Sequence, residues 1–156
     1  VPAIHTVYVP IGLGSGICGM IAARNALNLK TEIVGVVSEK APAYALSYKN
    51  KQLEETASCD TMADGLAVRI PNALALESIL QGVARVVTVS DEQIIEAIQI
   101  YYADTHNIAE GAGASPLAAL LKERARMKGK KTGLVLSGGN LNHNLMIRAL
   151  RSEKSE

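Results

Sequence analysis

At 156 residues the chain is long enough for one domain with a real core and too short for two ordinary ones. Its 48% apolar and 20% charged residues exclude a disordered tail, and a net charge of +1 gives no electrostatic reason to expect nucleic acid or an anionic membrane as partner. With no Trp, no Phe and five Tyr, the core has to be built from Ala, Val, Ile and Leu, as in strands buried on both faces beneath helices.

Short, nearly continuous aliphatic or β-branched runs at Thr6–Val9, Glu32–Val37, Arg85–Val89 and Thr132–Leu136 predict central parallel strands. Helical patterns fall between them at Ile17–Leu27, Ala43–Tyr48, Leu74–Val83, Asp91–Thr105 and Leu117–Met127. Ser90 followed by Gln93 makes a capping box ahead of Ile94, Ile95 and Ile98, and Ser115 before Pro116 predicts a cap and a first-turn proline. Residues 51–73 are the least regular, and a long loop inside a compact domain is often functional. The fold class expected is α/β, an open and mostly parallel sheet with helices on both faces. Residues 1–150 form that domain, and 151–156 read as a polar tail.

Several residues carry no chemistry on this reading. Cys18 and Cys59 are too few for a disulfide framework and lack metal-site spacing, and Cys18 reads as a small buried hydrophobe. His5, His106 and His143 show no ligand spacing, and Asp60 and Asp64 read as turn and cap residues. The basic cluster from Lys122 to Lys131 reads as a solvated face at a helix C-terminus. No run reaches membrane-spanning length and no signal peptide is visible, so a cytoplasmic location is expected. A first residue Val1 with a strand close behind it suggests a processed or excised segment, or an artificial truncation.

The chemistry concentrates at "VPIGLGSGICG", where a strand ends, glycines follow at 12, 14, 16 and 19, and a helix begins. Backbone N–H groups can converge on an anion there, because glycine tolerates positive φ and has no side chain to block approach. A plain tight turn is one reading. A dinucleotide site is another, since Gly14–Gly19 matches G-x-G-x-x-G and Glu39 stands 20 residues beyond, where a ribose-binding acid would sit. A phosphate-loop NTPase is excluded, because no Gly-Lys-Ser/Thr follows. A third reading draws on the second glycine turn, "LVLSGGNLN" at 134–142, and the small-residue stretch around Glu110. Strand C-termini of a parallel sheet share one edge, so Ser137 is expected to face the crevice of Gly12–Gly16.

Taken in order, "VPIGLGSGICG", "DTMADGLAVR", "THNIAEGAGASPLAAL" and "LVLSGGN" resemble the pyridoxal-phosphate-dependent threonine/serine dehydratases of the tryptophan-synthase-like fold (fold type II), closest to their catabolic bacterial branch. The resemblance runs from about Thr6 to Asn142 and implies pyridoxal 5′-phosphate as cofactor. It implies that backbone N–H groups of Gly12, Leu13, Gly14, Ser15 and Gly16 hold the cofactor phosphate, with Leu13 and Ser15 departing from the family's usual run of four glycines. Ser137 takes the place of the serine that contacts the pyridine nitrogen, where a hydroxyl supports a neutral ring and suits β-elimination more than transamination. Gly65 and Glu110 match positions lining the ring; without the resemblance, Glu110 would read as a helix-terminal carboxylate in solvent.

Two departures matter. The carboxylates of the family's divalent-cation site fall on Val37 and Ala43, which cannot be ligands, so no metal is expected. The family's Schiff-base lysine lies upstream of the glycine loop in a Ser-x-Lys setting, with the asparagine that contacts the ring hydroxyl. None of the nine lysines here has that setting. The chain therefore looks like the C-terminal part of the large domain, with no catalytic residue of its own; the alternatives are a non-catalytic fragment of the same fold that binds phosphates weakly, or the dinucleotide-binding module. The intact enzyme would convert L-threonine or L-serine to a 2-oxo acid and ammonia. The family tends to dimerise through this domain, so a homo-oligomer is expected.

Overall fold

The computed structural model describes residues 3–151. Four strands, β1 (Thr6–Pro10), β2 (Glu32–Ser38), β3 (Arg85–Val89) and β4 (Thr132–Leu134), form one sheet in the order β3-β2-β1-β4, and every pairing is parallel. The helices are α1 (Ser15–Ala26), α2 (Ala43–Asn50), α3 (Ala73–Gly82), α4 (Asp91–Thr105), α5 (Gly111–Lys122), α6 (Arg124–Met127) and α7 (His143–Arg151). Residues 51–72 hold only a 3-10 turn at Asp64–Leu66. No described helix is long and apolar enough to cross a membrane.

Side-chain alternation sorts the strands onto two cores. Val7, Val9, Ile33 and Val37 pack with Ile17, Ile21, Tyr44 and Ile79 beneath α1, α2 and α3. Tyr8, Val34 and Val36 pack with Ile94, Ile98, Ala114 and Ala118 beneath α4 and α5. A sheet covered on both faces accounts for the near-continuous hydrophobicity of its strands.

Several local expectations are corrected. The helix expected from Leu117 begins at Gly111, which places Ser115 and Pro116 in its interior, both buried. Pro116 has no N–H for the carbonyl of Ala112, and the buried Ser115 hydroxyl donates to that carbonyl instead at 2.9 Å. The same helix stops at Glu123, and α6 is a separate turn. β4 ends at Leu134 because the chain veers toward the start of α5, where Gly138 O accepts from Glu110 N at 3.0 Å. α7 was not anticipated; Asn142 caps it by accepting from Leu145 N at 2.9 Å. It runs through Arg151, and the rest of the expected tail lies outside the described residues. The Ser90–Gln93 capping box forms as expected.

One polar group anchors the α5 side of the sheet. The Arg85 guanidinium grips the Glu123 carboxylate with both arms, Nε to Oε1 at 2.8 Å and Nη2 to Oε2 at 2.6 Å, and the Tyr8 hydroxyl donates to Oε2 at 2.5 Å. Burial pushes the Tyr8 phenol up to about 12, with the Glu123 carboxylate adding to it. Burial alone would raise Glu123, but bonds from Arg85 and Tyr8 outweigh it and hold the carboxyl below its ordinary range. The stability contributed by Tyr8 is therefore complete below pH 10 and is lost as pH rises through about 12. That from Glu123 is complete above its ordinary value of 4.5 and is lost as pH falls through its lower folded value. Glu123→Ala should cost about 2–4 kcal/mol in urea unfolding, because it strands a largely buried guanidinium (15% exposed), and Arg85→Met with Glu123→Leu should recover most of it. A loss below about 1 kcal/mol would mean the pair behaves as a surface ion pair.

Candidate functional site

All four strands point their C-terminal ends to one edge, and the loops leaving that edge build a crevice. A cavity of about 310 Å³ there is lined by Gly12 and Gly16 after β1, Gly65 from the 3-10 turn, Glu110 at the head of α5 and Ser137 after β4. The three remaining candidates do not line it. Leu13 exposes 71% of its surface, Ser15 is exposed, and Gly14 is buried as the N-cap of α1.

Gly14 has φ 103°, which favours glycine, and a Cβ there would come within 2.5 Å of Ala75 Cβ. The turn it permits leaves the N–H groups of Gly12 to Ile17 without a backbone acceptor among the described residues. They sit at the positive end of a 12-residue helix, the arrangement that binds phosphate. Gly16 differs from Gly14. A Cβ on it would meet nothing within 4 Å, so the fold does not require glycine at this helical position.

Glu110 is half-buried rather than solvated. Its Oε2 accepts from Asn140 N at 3.3 Å, and a Cβ on Gly138 would fall 2.6 Å from its Oε1. The carboxylate thus joins the head of α5 to the Ser137–Asn140 turn. Gly65 fits closely between neighbours: its carbonyl would be 2.6 Å from a Cβ on Gly12, and its own Cβ would be 2.8 Å from that of Ala112.

Residues that carried no signal in the sequence hold this arrangement. Buried Asp91 accepts from Lys40 Nζ and from Thr61 Oγ1, both at 2.8 Å, and Thr61 Oγ1 accepts from Ala63 N at 3.2 Å. Burial works to raise the Asp91 carboxyl, but the Lys40 and Thr61 bonds prevail and lower it. The segment entering the Asp64–Leu66 turn is thereby pinned to α4. Asp64 leads that turn without a side-chain cap bond, and Cys18 is half-buried, its thiol 3.9 Å from Ala75 O. Glu39 pairs with Lys122 Nζ at 3.1 Å and lines a separate cavity with Lys40 and Asp60. Strand order alone does not separate the phosphate readings, since dinucleotide-binding sheets share it.

The profile of the family described as "Pyridoxal-phosphate dependent enzyme" matches residues 2–138. The chain belongs to that family. Among curated proteins it is 35% identical to L-threonine ammonia-lyase of Thermotoga maritima over 149 residues, 96% of this chain and 37% of that one. It is 37% identical to L-threonine ammonia-lyase of Geobacter sulfurreducens over 140 residues, 90% of this chain and 35% of that one. Of solved structures, maize serine racemase matches with TM-score 0.86 and 28% identity over 96% of this chain and 47% of that chain. The processed form of threonine deaminase isoform 2 from Solanum lycopersicum matches with TM-score 0.88 and 26% identity over 96% and 44%. The chain spans about a third of the length of these curated relatives and under half of these solved chains. Its fold is the α/β fold type II of pyridoxal-phosphate enzymes.

The residues present fit the family's cofactor. Unused N–H donors at a helix start suit its phosphate, and the cavity volume is at the small end of the range for small-molecule sites.

The two loop glycines should respond oppositely to alanine. Gly14→Ala is expected to lower stability by roughly 2 kcal/mol or more, from a left-handed backbone and the clash with Ala75. Gly16→Ala should be neutral or stabilising by up to about 1 kcal/mol, since alanine is the better helix former. Urea unfolding of the two variants distinguishes them; equal losses would contradict the assignment of Gly14 alone as conformationally required.

Proposed function

We propose that this crevice binds pyridoxal 5′-phosphate without covalent attachment, as part of a threonine/serine dehydratase that converts L-threonine or L-serine to a 2-oxo acid and ammonia. The observation that carries this reading is the convergence of Gly12, Gly16, Gly65, Glu110 and Ser137, from four segments, on one cavity beside unused backbone donors. The relatives named as L-threonine ammonia-lyases support the substrate class.

The N–H groups of Gly12, Leu13, Gly14, Ser15 and Gly16 hold the cofactor phosphate. The Ser137 hydroxyl would meet the ring nitrogen, and Gly65 and Glu110 would border the ring. Bound there, the cofactor would supply the electron sink for β-elimination. A serine at the nitrogen leaves the ring neutral, whereas a carboxylate would hold it protonated. No lysine lines the cavity among the described residues, and none of the nine has the family's Ser-x-Lys setting. With no lysine in that setting, this chain alone is expected to release no ammonia. The protein acts in the cytoplasm on small amino acids. Exposed Leu27 and Leu29 beside a largely apolar hollow favour its association into homo-oligomers.

A calorimetric titration tests the cofactor assignment. The probe is pyridoxine 5′-phosphate, which keeps the ring and phosphate but has no aldehyde to react with surface lysines. It should bind, and Gly16→Leu, whose Cβ has open space and whose longer side chain would intrude on the cavity that Gly16 lines, should weaken it at least about tenfold. Tight binding of NAD with no binding of this probe would sink the reading and return attention to Glu39.

A further inference from the structure

Tyr44 belongs to no motif that carried the family resemblance, yet its hydroxyl reaches the phosphate loop. The side chain projects from α2 into the core beneath α1 and α3 and is 1% exposed. Its Oη donates to Leu13 O at 2.9 Å and accepts from Asn72 N at 3.0 Å. Asn72 is the N-cap of α3, its Oδ1 accepting from Ala75 N at 3.0 Å. A Cβ on Gly14 would come within 3.2 Å of the same hydroxyl. One buried hydroxyl thus joins the apex of the loop to the head of a neighbouring helix.

The consequence follows from peptide planarity. The Leu13 carbonyl and the Gly14 N–H belong to one trans peptide unit, so they point in opposite directions. A carbonyl drawn inward to Tyr44 turns the Gly14 N–H away from the core, to the loop's outer side. Nothing in the loop's own sequence secures that orientation. Gly14 tolerates both signs of φ, so the Leu13–Gly14 peptide can rotate at little cost. Rotated, it would present a carbonyl oxygen where an anion should find a donor.

We propose that Tyr44 is a positioning residue that locks the Leu13–Gly14 peptide with its N–H toward the cofactor phosphate. The hydroxyl suits this work. Burial pushes its pKa above the ordinary 10.0, so it remains a neutral donor at physiological pH. The inference rests on the cofactor assignment proposed above and extends it to a residue outside the crevice.

Tyr44→Phe keeps the ring in the core and removes only the hydroxyl. Tyr48→Phe is the matched control, because Tyr48 Oη donates to Val83 O at 2.9 Å from the same helix and away from the loop. Calorimetry with pyridoxine 5′-phosphate should show Tyr44→Phe weakened about tenfold, the worth of one aimed donor to a charged group. The ³¹P resonance of the bound probe should shift as well, while Tyr48→Phe stays within about twofold of wild type. Equal affinity in wild type and Tyr44→Phe, or equal losses in the two variants, would overturn the inference alone. Failure of the wild type to bind would overturn the cofactor assignment and this inference with it. Should Tyr44→Phe not fold, the wild type still decides. Its Gly14 amide should show no microsecond–millisecond exchange, and a peptide flipping there would contradict the lock.

Discussion

A parallel sheet cannot spread its loops evenly. With β1, β2, β3 and β4 running the same way, every strand-to-helix connection emerges along one edge. Gly12–Gly16 and Ser137 are far apart in sequence but leave β1 and β4, which are adjacent in the sheet. The third wall comes from the long irregular segment, brought to the same edge by Asp91 and Thr61. The crevice is a consequence of strand direction, and the chemistry of its residues acts within that frame.

Around the edge, polar side chains fix what aliphatic packing leaves free. Backbone at such a site has to stay unpaired where a ligand will bind, so neighbouring groups must be held by other means. Glu110 ties the head of α5 to the Ser137–Asn140 turn, Asp91 ties the Gly65 segment to α4, and Tyr44 ties the Gly12–Gly16 loop to α3. The Arg85–Glu123–Tyr8 group does similar work on the sheet itself, joining β1 and β3 to the end of α5. Each binds segments remote in sequence, and each places a charge or hydroxyl where its partners are fixed by the fold.

The strands and α4 were legible because their signals are local: aliphatic runs between turn residues, and a capping box within four positions. The glycine loop and Ser137 were legible because motif and strand direction together imply one edge. The start of α5 differs because Ser-Pro is a strong local start signal, and only a helix that already includes Ala112, one turn back, shows that the serine repairs a gap made by the proline. α7 was missed although Asn142 with Leu145 and Met146 forms a serviceable start. The roles of Tyr44, Asp91 and Glu123 could not be read, since their partners lie tens of residues away and nothing adjacent announces them.

On the proposed reading, residues from four segments form a single binding surface for a phosphorylated pyridine. Amide chemical-shift mapping with pyridoxine 5′-phosphate tests it most directly. Saturable shifts are expected at Leu13 to Ile17 together with Gly65, Glu110 and Ser137, all following one binding curve. Shifts confined to the glycine loop, or clustered instead around Glu39 and Lys122, would contradict it.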